Sequence, residues 1–415
     1  MAKASPLAGL LAFVAPMLMA CPVHAQEAVV KPVEVMFPGC ISTNVADYAA
    51  GGQGIERRGE GGFIYAMAVP EGLYKVTLTL GYAKREGRTT VKAEGRRLML
   101  RDVVTRRGES VTRSFLVAVR SDKLPEMPQG GPVLPQVVQI DGNEVGSADW
   151  DDRLSLEFLG QPCVSRIHVE SVQAPTVFLV GDSTVADQMA EPYASWGQML
   201  PAMLDERVAV ANHAKSGGTM KSFIVQMRLA KVLEQVREGD WLLIQFGHND
   251  QKANWPLTYV SPDGTYPAYL RSFIAEARAR GVHPVLVTSP ERRNFDGAGR
   301  IKPSLDAYAQ AVRDVAQVEG VPLVDLNTAS ITIMEALGPE QSPKAFARDG
   351  EDRTHNNNYG AWLFAAAVAR GLRSAVPELA PHITLPAFDP AHPPLPADLQ
   401  IKASLAHLDE KPAGN

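Results

Sequence analysis

Apolar and polar positions alternate with a period of two from about Val33 to Val172, the spacing of strands that bury one face. The runs 62–69, 73–81, 114–119, 137–140, 154–158 and 166–170 carry the pattern, separated by turn signals such as Pro70-Glu71-Gly72. No helical period intervenes, so 33–172 is expected to be a β-sandwich. The proline-rich stretch 125–135 reads as a loop between strands. After Ala174-Pro175 the period changes. Short strand-forming runs at 177–180, 208–211, 241–246, 285–287 and 322–326 alternate with amphipathic stretches at 222–236, 266–280 and 303–318. This predicts an α/β domain over 175–379, built on a doubly wound parallel sheet and closed by a helix at 359–374. Residues 380–415 form a Pro- and Ala-rich tail with weak periodicity, expected to be loose or irregularly packed.

Several of these strands end in polar residues at what should be one edge of the sheet. The apolar run 177–180 stops at Gly181 and presents Asp182, Ser183 and Thr184; later strands lead to Gly217 and to Gly247-His248-Asn249-Asp250. The approach to the last helix supplies Asp352 and His355. In a doubly wound sheet the carboxyl ends of neighbouring strands converge on one crevice. A serine nucleophile needs a base, a carboxylate to orient that base, and donors for the developing oxyanion. Ser183, His355 and Asp352 fill the first three roles. The N–H groups of Ser183 and Gly217 and the amide of Asn249 fill the last. Taken singly, each is as readily a turn, cap or hinge residue; their order along the chain argues for chemistry.

The constellation Gly181-Asp182-Ser183, Gly217, Gly247-His248-Asn249-Asp250 and Asp352 with His355 resembles the block signatures of the SGNH (GDSL-type) hydrolases. The surrounding Asp187-Gln188, Ser195-Trp196-Gly197 and Asn212-His213 segments resemble the rhamnogalacturonan acetylesterase branch of that family. The resemblance implies a flavodoxin-like sheet and an acetyl-enzyme on Ser183 formed without metal or other cofactor. The implied substrate is acetylated plant cell-wall polysaccharide. Two departures, Gly218 and Thr219 where simpler members carry Arg and Ser, bear on substrate preference rather than on the triad. Alternatives are acetylated xylan or another short-chain ester, and, in a different class, a non-catalytic carbohydrate-binding protein. The β region resembles galactose-binding-like sandwiches that precede such esterase domains.

Substrate contacts are sought among Trp255, Arg293 and Arg353: an aromatic face for a sugar ring and cations for a uronate carboxylate. Tyr193, Trp196, Tyr266 and Tyr269 are further aromatic candidates, with Trp196 read as structural. His248 and Asp250 are expected to orient Asn249. The basic cluster Arg96, Arg97, Arg101, Arg106, Arg107 and Arg113 reads as a solvated face, with attraction of pectin as the alternative.

Composition narrows the remaining questions. The chain has 415 residues, 45% hydrophobic and 21% charged, with a formal charge of -5, and no basic run points to nucleic acid. Lys3, the apolar stretch 7–20 and Val23-His24-Ala25 resemble a secretory leader cut after Ala25, short of the ~20 residues of a membrane span. That reading places the protein outside the cytoplasm, secreted or periplasmic. A second reading makes Leu18-Met19-Ala20-Cys21 a lipobox and Cys21 a lipid anchor. With the leader removed, Cys40 and Cys163 remain, either paired or as two buried thiols. No ligand spacing for a metal is present.

Overall fold

The computed structural model describes residues 31–37, 39–40, 45–142 and 144–407. The expected leader, and with it Cys21, lies outside the described residues.

The β region folds as two antiparallel sheets. Its strands are β1 (Val33–Met36), β2 (Gln53–Gly59), β3 (Gly62–Ala68), β4 (Gly72–Leu80), β5 (Gly87–Ala93), β6 (Arg97–Thr105), β7 (Val111–Val119), β8 (Arg153–Gln161) and β9 (Val164–Ser171). One sheet runs β1-β9-β4-β7, the other β2-β3-β8-β5-β6. Alternate residues such as Tyr74, Val76, Leu78 and Leu80 of β4 face Leu154, Leu156 and Phe158 of β8 in one core. Cys40 and Cys163 form a disulfide. The run 137–140 is not a strand. It makes a single bridge from Val137 to Lys123 and then docks on the α/β region, where Gln139 N donates to Gln226 O at 3.0 Å.

The α/β region holds β10 (Thr176–Gly181), β11 (Ala209–Asn212), β12 (Trp241–Gln245), β13 (His283–Val287) and β14 (Leu323–Val324). They form a parallel sheet of order β11-β10-β12-β13-β14, the flavodoxin-like arrangement. Seven helices accompany it among the described residues: α1 (Trp196–Met199), α2 (Met220–Val225), α3 (Arg228–Gln235), α4 (Thr265–Arg278), α5 (Asp306–Glu319), α6 (Leu326–Gln341) and α7 (Asn358–Ala375). Val177 and Leu179 point to the layer containing α1, α6 and α7, whereas Phe178 and Val180 point to that of α2 to α5.

Two helical expectations change. The single helix at 222–236 is split by Met227, whose left-handed φ of 62° separates α2 from α3. The break lets buried Arg228 reach the docked segment, donating from Nη1 to Glu144 Oε1 (3.0 Å) and from Nη2 to Gln139 O (3.1 Å). Helix α6 was not expected at all: its β-branched residues and Gly338-Pro339 hide a helix that Asp325 caps by accepting from Thr328 N.

The basic cluster is not one solvated face. Arg106, Arg107 and Arg113 are exposed, but Arg96 and Arg97 are buried where the β5–β6 turn enters the α/β region. Arg97 donates from Nε to Asp187 Oδ2 (2.8 Å), from Nη2 to Asp149 Oδ1 (3.2 Å) and from Nη1 to Ala118 O (2.9 Å). Arg96 Nη1 donates to the carbonyls of Gln188 and Tyr193, each at 2.9 Å. Just before them only glycine fits between the two aspartates: a Cβ on Gly95 would meet Asp149 Oδ2 at 2.6 Å and Asp187 Cβ at 2.7 Å. Arg97 is held by Asp149 and Ala118 of its own region and by Asp187 of the other, and Arg96 by Gln188 and Tyr193 of the other, so packing the two regions together completes the partners of both cations.

The tail, though without helix or strand after 382 among the described residues, is not loose: it runs back across both regions. Phe388 and Leu399 join the α/β core. Ser404 N donates to Glu191 Oε1 (2.7 Å), and Ser404 Oγ and Leu405 N donate to Glu157 Oε1 (2.8 and 2.7 Å). Glu191 also faces Lys92 and Arg96; burial opposes its ionisation, but those two cations and the Ser404 N–H bring its carboxyl down to about 2.

Replacing Arg97 by Met leaves Asp187 buried without its ion-pair partner, while Asp149 keeps Arg120. Urea unfolding should show a loss of roughly 3–5 kcal/mol. A loss below about 1 kcal/mol, the scale of an exposed pair, would show that the contact is incidental.

Candidate active site

Ser183 follows β10 on a turn fixed at every step. A Cβ on Gly181 would meet Gln245 O at 2.5 Å, so the strand leaves the sheet against its neighbour's backbone. Asp182 Oδ1 accepts from Thr184 N (3.0 Å) and Thr184 Oγ1 (2.8 Å), which closes the turn. Gln188 Nε2 donates to Ser183 O at 2.6 Å and to Ser216 Oγ at 3.2 Å, tying the serine to the loop after β11. From the end of β11, Asn212 Nδ2 donates to Val185 O and Asp187 Oδ1, both at 2.7 Å.

His355 enters from the turn before α7. Its Nε2 lies 2.9 Å from Ser183 Oγ, and its Nδ1 lies 2.9 Å from Asp352 Oδ2. Asp352 Oδ1 accepts from His355 N (2.9 Å) and Thr354 N (2.8 Å), so one carboxylate shapes the turn with one oxygen and orients the ring with the other. Burial works against ionisation of Asp352. The His355 contact and these two N–H groups outweigh it and hold the carboxyl well below its ordinary range. All three side chains are nearly inaccessible.

The loops bearing Gly217 and Asn249 leave the carboxyl ends of β11 and β12, on either side of β10. Gly217 has a left-handed φ of 76°, and among the described residues no acceptor is hydrogen-bonded to its N–H or to that of Ser183. Asn249 Nδ2 donates to Gly218 O at 3.1 Å. Asp250 anchors the same loop, its Oδ1 accepting from Met220 N at 3.0 Å. Burial, opposed by that N–H and reinforced by the neighbouring Asp182 carboxylate, pushes Asp250 up to about 7. His248, equally buried, is pushed well below its ordinary value by burial and by the charges of Arg292 and His355.

The aromatic candidates do not form a platform. Tyr193 is buried with its ring edge-on to His355, centroids 6.0 Å apart, and so packs behind the base. Tyr266 is buried and donates to Phe246 O (2.7 Å), while Tyr269 packs against the core of its own layer. Trp196 is buried and donates to Gln245 Oε1 at 2.8 Å. Trp255 is partly exposed on the turn that follows Asn249, one ring face covered by Lys252 Nζ at 3.9 Å. Arg293 braces the catalytic turn: its guanidinium donates to Gly350 O and lies 5.3 Å from the Phe346 ring, and its N–H donates to Arg353 O at 2.8 Å. Arg353 is exposed, with no ion pair among the described residues. Gln188, which holds both Ser183 and Ser216, was missed as a site residue; its place in the Asp187-Gln188 segment of the motif was the available signal.

Two outcomes follow from these environments. Asp352→Asn should lower kcat by roughly 10³–10⁴-fold through loss of the orienting charge, with KM little changed in steady-state assays. Asp250 ordinarily titrates at 3.8 but near 7 in the fold, so between those values the folded protein holds a proton the unfolded chain has released. Stability therefore falls as pH rises through that window. The thermal midpoint of Asp250→Asn should show a flatter decline from about pH 4 to 7 than the parent; parallel profiles would sink the assignment.

Residues 179–363 match the GDSL-like lipase/acylhydrolase family. The rhamnogalacturonan acetylesterase RhgT of Bacillus subtilis is 40% identical over 220 residues, which cover 50% of this chain and 93% of that protein. The uncharacterized esterase YxiM of the same organism is 26% identical over 344 residues, 80% of this chain and 81% of YxiM. The crystal structure of YxiM aligns with a TM-score of 0.47 at 22% identity, covering 83% of this chain and 98% of that one. The chain is thus a carboxylic ester hydrolase, and it belongs to the GDSL-like lipase/acylhydrolase family.

Proposed function

We propose that the protein removes acetyl groups from plant cell-wall polysaccharide, with the rhamnogalacturonan region of pectin as its substrate. The observation that carries the chemistry is the continuous contact from Asp352 through His355 to Ser183, at 2.9 Å for each link. The kinship with RhgT, a rhamnogalacturonan acetylesterase, supports the substrate.

In this reading Ser183 Oγ passes its proton to His355 Nε2 as it attacks the acetyl carbonyl. The charge that develops on the carbonyl oxygen is met by the N–H groups of Ser183 and Gly217 and by the amide of Asn249, whose Nδ2 has a second N–H besides the one given to Gly218 O. The tetrahedral adduct collapses, the C–O bond to the sugar breaks, and His355 returns the proton to the departing sugar hydroxyl. Water then gives its proton to His355, attacks the acetyl-enzyme and releases acetate, restoring Ser183. Asp352 keeps the ring in register throughout and stabilises the imidazolium. Arg353, exposed beside the catalytic turn, is the cation available to a uronate carboxylate. The Cys40–Cys163 disulfide suits an oxidising compartment and so supports work outside the cytoplasm, secreted or periplasmic.

Ser183→Ala should reduce acetate release by roughly 10⁴-fold or more; an unchanged rate would remove the serine mechanism. The substrate is decided by acetate release from acetylated rhamnogalacturonan, acetylated xylan and a p-nitrophenyl acyl series. The pectic polymer is expected to be preferred, and Arg353→Gln to raise its KM without changing kcat on p-nitrophenyl acetate. A preference for xylan or for long acyl chains would overturn the pectin assignment.

A further inference from the structure

Oxyanion donors act together only if they converge on one point, about 2.7–3.1 Å from where the charged oxygen will lie. The two backbone donors, the N–H groups of Ser183 and Gly217, belong to separate loops. The ladder that joins β10 to β11 ends at the pair Leu179 and Asn212, before either donor is reached. Beyond it Lys215 N donates to Gly181 O at 3.0 Å and Asn212 Nδ2 to Val185 O at 2.7 Å. Both contacts join the loops, but neither touches Ser183, Ser216 or Gly217.

Gln188 does touch them. Its Nε2 donates to Ser183 O at 2.6 Å and to Ser216 Oγ at 3.2 Å. The two N–H bonds of one amide thus hold the donor residue of the first loop and the residue directly before the donor of the second. Because the amide is planar, the angle between those bonds is fixed, and so is the spacing of what they hold. Ser216 is only half-buried, so its hydroxyl has water as an alternative partner. What the amide adds there is position. The brace is itself anchored: Gln188 is buried, and its carbonyl accepts from Arg96 Nη1 (2.9 Å) and Gln198 Nε2 (3.0 Å). Asp187, the residue before it, is held by Arg97 and Asn212. No hydrogen bond is recorded between Gln188 and His355 or Asp352 among the described residues, and that pair is oriented by its own turn.

We propose that Gln188 is the positioning residue of the oxyanion hole, setting the distance between the Ser183 and Gly217 N–H groups. The inference rests on the serine mechanism proposed above and deepens it. Without the brace the nucleophile and its base remain, while the donors no longer meet at one point.

Steady-state kinetics with p-nitrophenyl acetate and its thiono counterpart, in which sulfur replaces the carbonyl oxygen, tests it. Sulfur is a weak hydrogen-bond acceptor, so the ratio of the two rates reports the hole rather than the triad. The parent should favour the oxygen ester. Gln188→Met, which keeps a long side chain but has no donor, should lower kcat on that ester by roughly 30- to 100-fold with KM little changed. The thionoester should lose less than about threefold. Ser216→Ala should cost about tenfold on the oxygen ester, and the double variant should be no slower than Gln188→Met, because both cut one brace. Circular dichroism confirms the fold; if Gln188→Met does not fold, Ser216→Ala carries the comparison of the two esters. Equal losses on both esters would place the damage in the triad or the fold at large and overturn the inference. An unchanged rate on the oxygen ester, losses that multiply in the double variant, or a parent indifferent to sulfur would do the same. Ser183→Ala keeps the two readings apart: if it is inert while the Gln188 variant matches the parent, the brace falls and the mechanism stands, whereas an active Ser183→Ala removes both.

Discussion

The Asp187 carboxylate governs the geometry of this protein. It sits four residues beyond Ser183, fully enclosed, and accepts from Asn212 at the end of β11 and from Arg97 of the sandwich. A carboxylate in that position is tolerable only if its charge is met. The cation that meets it belongs to the β region. Asn212 uses the same amide to hold Val185 O, so the turn that presents Ser183 is fixed from the sheet and from the sandwich at once. The β-sandwich is thus part of the support of the catalytic serine.

A different device presents the base. Asp352 and His355 form a unit closed on itself by two backbone hydrogen bonds and one side-chain contact, needing little from distant parts of the chain. What distant residues supply is confinement. Tyr193 covers the ring edge, and Arg293 ties the preceding turn through Gly350 O. The site therefore combines a serine whose place depends on long-range contacts with a base whose orientation is set locally.

The sheet was legible because its strands are buried on both faces and read as continuous apolar runs ending at Gly181, Asn212 and Gln245. The polar residues beyond those ends gave the site. Strands β5 and β6 escaped because Lys92, Arg97 and Thr89 are polar residues buried by charge pairing and packing, which a rule of apolar-in and polar-out takes for surface. Periodicity carries no information on such partners: Arg97 and Asp187 are 90 residues apart. The same blindness left Tyr193 and Tyr266 open, since an aromatic ring is equally suited to a sugar face and to a core, and both are core.

The tail gives the assembly a temporal order. During synthesis the β5–β6 turn emerges first; Asp149, one partner of Arg97, follows within the sandwich, and Asp187 and Glu191 come only roughly ninety residues after the turn. Ser404, which bonds to Glu191, comes a further 213 residues along the chain. Because domains generally fold from the N-terminus as they are made, the sandwich waits with Arg96 and Arg97 short of Glu191 and Asp187, and the seam is fastened only after the α/β region has emerged. Arrival of Ser404, rather than completion of either region, is then the moment at which Glu191 and the loop after Ser183 gain this partner.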